Sequence, residues 1–147
     1  NQVGDLSSWY NRTLIWETAR PYIYMRTTND NRIIIGGLDD NTNYPEDRDS
    51  KLVNKRNLLI EELNKRFPTI NAQAEYYLTA FYGGIVDGIP IIGQYKDFPS
   101  CYFLFAFGDN GTVYSQLLSK IIATDIIEGK SPNLDLYLQD RPLLKNN

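Results

Sequence analysis

Cys101 to Phe107 (CYFLFAF) is apolar without a break, and it runs directly into Gly108-Asp109-Asn110-Gly111. No other feature constrains the fold as much. An aromatic-rich apolar run of this kind predicts a strand buried on both faces, with Cys101 as a small core residue. Thr112 to Glu128 follows, with Val113, Leu117, Leu118, Ile121, Ile122, Ile126 and Ile127 over a wide arc. That arc predicts a deeply packed helix, ended by Gly129. The first N–H groups of a helix have no intrahelical partner and carry partial positive charge. Two glycines beside them let a ligand approach the backbone, so the turn suits a phosphate, a carboxylate or a ring carbonyl carrying negative charge. It equally suits an ordinary tight turn with Asn110 as the helix cap.

The rest of the chain reads as an antiparallel meander and a second helix. Thr13–Thr18 and Tyr22–Thr28 are strand candidates separated by Pro21, and Asn29-Asp30-Asn31 is a hairpin turn leading to a return strand over Arg32–Ile35. Leu38–Asp49 is polar loop. Asp49 or Ser50 caps a helix to about Arg66, with Leu52, Leu59, Ile60, Leu63 and Phe67 on its apolar face. Gln73–Tyr82 predicts a long aromatic strand, Ile89–Ile92 a short one after the Asp87-Gly88 turn, and Gly93–Ser100 a loop. The tail after Gly129 reads as short turns and a frayed end. The fold class is α+β, mostly antiparallel sheet with two main helices, at a length where roughly 70% of the unfolded surface can be buried.

Composition narrows the chemistry. With no His, neither a His-based triad nor a His-ligated zinc can form within the chain, and no metal site is expected. One Cys allows no internal disulfide and fits a reducing, cytoplasmic compartment. The 15 Lys and Arg against 18 Asp and Glu, without a basic block, disfavour nucleic acid. No apolar run reaches the roughly 20 residues of a transmembrane helix. Asn11-Arg12-Thr13 and Asn110-Gly111-Thr112 match the glycosylation pattern, which is common by chance. Glu61 and Glu62 are helix neighbours that do not face each other, hence a solvated face. Arg26, within YIYMRTT, either lies on a solvated face, paired with a carboxylate such as Glu17, or clamps a substrate carboxylate with two hydrogen bonds. Asp87-Gly88-Ile89-Pro90 on its own is an unremarkable turn.

Three segments resemble one family in order and spacing: WETARPYIYMRTTNDNRIIIGGLDD, FYGGIVDGIPIIG and YFLFAFGDNGTVYSQLLSKIIATDIIEGK. They resemble, in turn, a sheet segment, the Asp-Gly-x-Pro-x-x-Gly turn, and the last flavin-domain strand, glycine turn and C-terminal helix of the D-amino-acid oxidase-like, FAD-dependent oxidoreductases. The resemblance runs from about Trp16 to Arg141. It implies that residues 1–100 are the C-terminal part of a substrate-binding domain and 101–147 the last strand and helix of an FAD domain, the two forming one compact unit in this fragment. The family's G-x-G-x-x-G nucleotide fingerprint does not occur in this sequence, so the resemblance implies an FAD-binding half upstream. It also implies FAD in the full-length protein but not in this fragment, which would be inactive alone and prone to self-association.

Carried over by position, Gly108, Asp109, Asn110, Gly111 and Thr112 face the pyrimidine side of the isoalloxazine. Asp87, Gly88 and Pro90 support it, and Tyr24 and Arg26 face the substrate. The implied activity is oxidation of an amine-bearing carbon, of an amino acid or related amine, by hydride transfer to flavin. The position of Asp109 is often Gly or a basic residue in the family. A carboxylate there implies a side chain that points away from the ring or favours a substrate amine. The competing reading is a non-catalytic ligand-binding or assembly domain with an aromatic sheet face. That reading expects a ligand groove made wholly within the chain and no exposed apolar surface.

Overall fold

The structure is a computed structural model and describes residues 5–145. The chain divides into two compact units, Asn1–Phe81 and Tyr82–Asn147.

In the first unit a short 3-10 turn, Tyr10–Arg12, precedes three antiparallel strands in the order β1-β2-β3: β1 Ile15–Trp16, β2 Ile23–Thr27 and β3 Ile33–Gly37. β1 is thus much shorter than the Thr13–Thr18 reading. In β2 the residues alternate, with Ile23 and Met25 buried and Tyr24 and Arg26 exposed. The hairpin closes where the sequence places it. The Thr28 N–H donates to the Arg32 carbonyl at 2.8 Å, and Asn31 takes the positive φ, +57°, that asparagine tolerates. Arg12, unremarked in the sequence, braces this turn. Its Nη2 donates to the Thr28 carbonyl (2.6 Å) and to Asn31 Oδ1 (2.8 Å).

Helix α1, Asp47–Arg66, begins earlier than the Asp49 or Ser50 cap suggests. Its N-cap position is Glu46, with Asp47 and Asp49 in the first turn and Lys65 and Arg66 in the last, all favourable to the helix dipole. Leu63 joins Trp9, Ile23, Met25 and Ile70 in one core, and the Trp9 and Phe67 rings stack at 4.4 Å. Arg66 pairs with Glu62 (2.7 Å) and with Glu17 (2.8 Å from Nε). Glu17 is therefore not Arg26's partner, and Arg26 makes no ion pair among the described residues.

Residues 73–82 form no strand, which corrects the sequence reading. Aromatic β-propensity describes a fit to a pleated, half-buried surface, and no neighbouring strand supplies one here. Tyr76 and Leu78 are left highly exposed. The segment is instead held by side chains: Arg32 Nε donates to Glu75 Oε2 at 3.0 Å, and the Arg56 guanidinium lies 4.9 Å from the Tyr77 ring centre.

The second unit is a hairpin covered by a helix. β4 (Ile91–Tyr95) pairs antiparallel with β5 (Phe98–Phe105), joined across Lys96-Asp97 and irregular between Gly93 and Tyr95. The expected loop over Gly93–Ser100 is therefore largely strand. β5 alternates instead of being buried on both faces: Tyr102 and Leu104 are half-buried, while Cys101, Phe103 and Phe105 are exposed. Helix α2, Gly111–Glu128, ends at Gly129, whose φ of +73° is the left-handed cap glycine adopts readily. Only Leu118 and Ile121 of α2 are buried, and they meet Ile92 to form the second core. Val113, Leu117, Ile126 and Ile127 face solvent, so the helix is packed along a narrow stripe.

The tail after α2 consists of short turns, as the sequence suggests; the expected frayed end reaches residues 146–147, outside the described residues. Ser131 is buried and donates its N–H to Asp125 Oδ1 (3.2 Å), and a short 3-10 turn, Leu134–Leu136, follows. The Ile92 N–H donates to the Tyr137 carbonyl at 2.8 Å, beside a parallel bridge between Ile92 and Leu138. A final helical turn, α3, covers Pro142–Lys145.

Two adjacent glycines in β3 give a stability test. Gly37 has φ +123°, and a Cβ there would collide with the Tyr22 carbonyl, which is backbone. At Gly36 a Cβ would meet only the tip of the Tyr24 ring. Gly37→Ala is expected to cost roughly 2 kcal/mol or more. Gly36→Ala is expected to cost under about 1 kcal/mol, because a flexible ring can swing aside. Urea denaturation of the two variants compares them directly.

Candidate functional site

The two turns singled out in the sequence belong to the same end of the β4–β5 hairpin. Ile91, the first residue of β4, is the Cα partner of Phe105, the last of β5. Pro90 therefore leads into the hairpin at the end where Ala106 leaves it. Ala106 and Gly108 both take positive φ, +62° and +59°, which turns the chain sharply before α2. The Gly108 N–H donates to the Gly83 carbonyl at 3.1 Å, tying the glycine turn to the stretch that precedes Asp87. Phe107 packs against the second core and anchors the turn from below.

At the start of α2 the first cap bond is donated by Tyr114 to the Asn110 carbonyl (3.1 Å). The amides of Gly111, Thr112 and Val113 precede it and have no carbonyl within the helix to receive them. Asn110 occupies the N-cap position, but its side chain makes no capping bond; its Nδ2 donates to Asp109 Oδ1 at 2.9 Å instead. A Cβ built on Gly108 or Gly111 meets nothing within 4 Å. The arrangement is an open helix N-terminus with glycine on both sides, and it fits a carbonyl that gains negative charge. The N–H groups of Gly108 and Asn110 are already used within the turn, the latter toward the Phe107 carbonyl at 3.2 Å. Asp109 is exposed and brings negative charge to the same spot.

Asp87 plays a different part from a bare turn residue. Its Oδ1 accepts the Ile89 N–H (3.1 Å), and both carboxylate oxygens accept Arg141, from Nη2 (2.8 Å) and Nε (2.7 Å). Arg141 also donates from Nη2 to the Ile89 carbonyl (2.6 Å) and from Nη1 to the carbonyls of Pro90 (3.2 Å) and Leu138 (3.3 Å). A guanidinium has five N–H donors, and these bonds engage all of them. Arg141 is 4% exposed, and Pro90 is fully buried beside it. The Arg141 guanidinium holds the Asp87 carboxyl below its ordinary value. Gly88 supplies the left-handed step of the turn, φ +71°.

Tyr24 and Arg26 lie in the first unit, on the exposed face of its sheet. Trp16 is the cross-strand partner of Tyr24, and Ile34 that of Arg26; both partners are also exposed. This face carries aromatic and apolar surface beside Arg26. In the second unit an open cleft of about 240 Å³ runs along α2, lined by Leu117, Lys120, Ile121, Thr124 and Ser131–Asn133. None of the candidate site residues lines it. Among the described residues no cluster of His, Cys, Asp or Glu could hold a metal ion, and no helix is long and apolar enough to cross a membrane.

Arg141 is the residue that reading the sequence missed. Its partner lies 54 positions away, and a lone arginine before a proline carries no local signal of burial.

With this geometry in place, the chain matches the family model for the FAD dependent oxidoreductases (DAO) over residues 3–124. It belongs to that family. Full-length members of the family use FAD, and the open start of α2 is compatible with it. No curated protein and no solved structure matches the chain.

The Asp87–Arg141 pair sets a pH dependence. Asp87's folded value is depressed, so its contribution to stability is complete above the ordinary carboxylate value of about 4 and is lost as pH falls through the lower folded value. Arg141→Met leaves the half-buried Asp87 carboxylate and three carbonyls without their donor. It is expected to cost on the order of 3 kcal/mol at neutral pH. Asp87→Asn should also destabilise at neutral pH, and by less in acid. Thermal melts of both variants between pH 3 and pH 7 read the two effects.

Proposed function

We propose that this chain is the C-terminal part of an FAD-dependent oxidoreductase that oxidises an amine-bearing carbon of an amino acid or related amine. The observation that carries the reading is the family match together with the two turns meeting at one end of the β4–β5 hairpin. FAD, when bound, supplies the hydride acceptor. The chain's own residues bind and orient. The amides of Gly111 and Thr112 stabilise negative charge at the α2 N-terminus, with Gly108 leaving the approach open. Asp109 and Asn110 flank that position, while Asp87, Gly88 and Pro90 form a rigid backbone wall beside it. Tyr24 and Arg26 orient the substrate, Arg26 through a carboxylate where one is present.

We assign residues 1–100 to a substrate-binding domain and 101–147 to the end of the FAD domain, with an upstream nucleotide-binding half completing the site. Exposed apolar side chains support this. Phe103 and Phe105 on β5 and Val113, Leu117, Ile126 and Ile127 on α2 form surface of the kind a larger domain covers. In the isolated chain self-association would cover it. The same exposure counts against a self-contained binding or assembly domain. A cytoplasmic location accords with the single thiol.

Full-length protein reconstituted with FAD should show flavin absorbance, and anaerobic addition of an amine substrate should bleach it. Absence of flavin bands after reconstitution overturns the reading. Within it, Asp109→Asn is expected to change kcat/KM for amines relative to their neutral analogues by about tenfold. If flavin affinity and substrate preference both stay unchanged, Asp109 has no role at the site.

A further inference from the structure

We propose that Arg141 is a positioning residue for the cofactor-facing turn: through the Asp87–Pro90 turn it sets the placement of the Phe107–Gly111 turn. The inference rests on the reading of that second turn as part of the FAD site.

The first support is where the acceptors lie. Four of Arg141's five hydrogen bonds go to Asp87, Ile89 and Pro90, and only one goes to its own neighbourhood, at Leu138. A simple charge pair would need the carboxylate alone. Bonds to two successive backbone carbonyls fix the path of the main chain, which a planar fork does and a point charge does not.

Next comes the continuity from that main chain to the glycine turn. Pro90 delivers the chain into β4, and Ile91 is locked in register with Phe105, immediately before Ala106 and the turn. A second link closes the loop from the other side, where the Gly83 carbonyl accepts the Gly108 N–H. The segment 83–90 is therefore held to the glycine turn at both ends, and Arg141 is the side chain that stiffens it.

A third point makes the idea testable. The tail is attached independently of Arg141, by the Ile92 N–H to the Tyr137 carbonyl and by burial of Ser131. Loss of the guanidinium should release the turn while the tail stays docked.

Amide hydrogen exchange on this chain decides the point without cofactor. In Arg141→Met, exchange at Ile89 and Gly108 should accelerate by more than about tenfold, while Met25 in the other unit keeps its rate. Arg141→Lys, which keeps the charge and loses the fork, should accelerate both amides as well, and it carries the measurement if the Met variant does not fold. A Gly108 rate equal to wild type beside a faster Ile89 overturns the proposal, as does a Lys variant indistinguishable from wild type.

The second measurement uses full-length protein loaded with FAD. Arg141→Lys should weaken FAD binding about tenfold and shift the flavin bands and reduction potential. Unchanged affinity, spectrum and potential in a less stable variant reduce Arg141 to a structural role and overturn the proposal. If wild-type full-length protein binds no FAD, the flavin reading fails, and the Gly108 exchange rate still settles whether Arg141 places that turn.

Discussion

A guanidinium withdrawn from water must find a partner for every N–H it carries, and Arg141 meets that demand by drawing two parts of the second unit together, the tail and the Asp87–Pro90 turn. Its carboxylate partner comes from one turn, its carbonyl partners from that turn and from the tail. None of these groups could be removed singly without leaving a buried charge or a buried carbonyl unpaired. The arrangement costs desolvation, and well-packed apolar side chains could give comparable stability. What it adds is direction. An apolar contact tolerates small displacements, whereas a bidentate fork with three further carbonyl bonds does not.

That rigidity matters because the core beneath it is small. Ile92, Leu118 and Ile121 are its buried members, with a ring of half-buried side chains around them. A core of that size leaves little margin for a floating turn. Positive φ at Ala106, a non-glycine residue, adds local strain just where the chain leaves β5. The register of Ile91 with Phe105 and the Gly83–Gly108 bond hold that conformation in place.

Much of this was legible in the sequence, and the failures share a cause. The hairpin at Asn29–Asn31, the helix ending at Gly129 and the strand–turn–helix order at Phe107–Gly111 all rest on local chemistry, and all appear. Residues 73–82 and the two-sided burial of β5 depended on neighbours that a local pattern does not specify. An alternation of exposed Phe103 and Phe105 with half-buried Tyr102 and Leu104 reads, in letters, as one apolar run. Cys101 was misplaced for the same reason. The apolar arc on α2 implies a deeply packed helix, whereas only Leu118 and Ile121 are buried. The α2 amides and glycines were visible as a candidate site, whereas Arg141 was not, since its significance is purely tertiary.

The uncovered arc of α2 and the open N-terminus of the same helix are best understood together. A helix evolved to sit alone on a hairpin would carry polar residues at Val113, Ile126 and Ile127, because exposed apolar side chains there stabilise nothing. Their presence argues that the helix flank is meant to be covered. An N-terminus left without a side-chain cap, as at α1 also, leaves its first amides to water or to another acceptor. Asp109 sharpens the second argument. A carboxylate near a helix N-terminus is favourable on its own account, yet here it is engaged with the Asn110 side chain, and Asn110 in turn forgoes the capping bond. Two residues well suited to closing the helix end are turned toward each other, and the Asn110 side chain leaves the cap bond unmade.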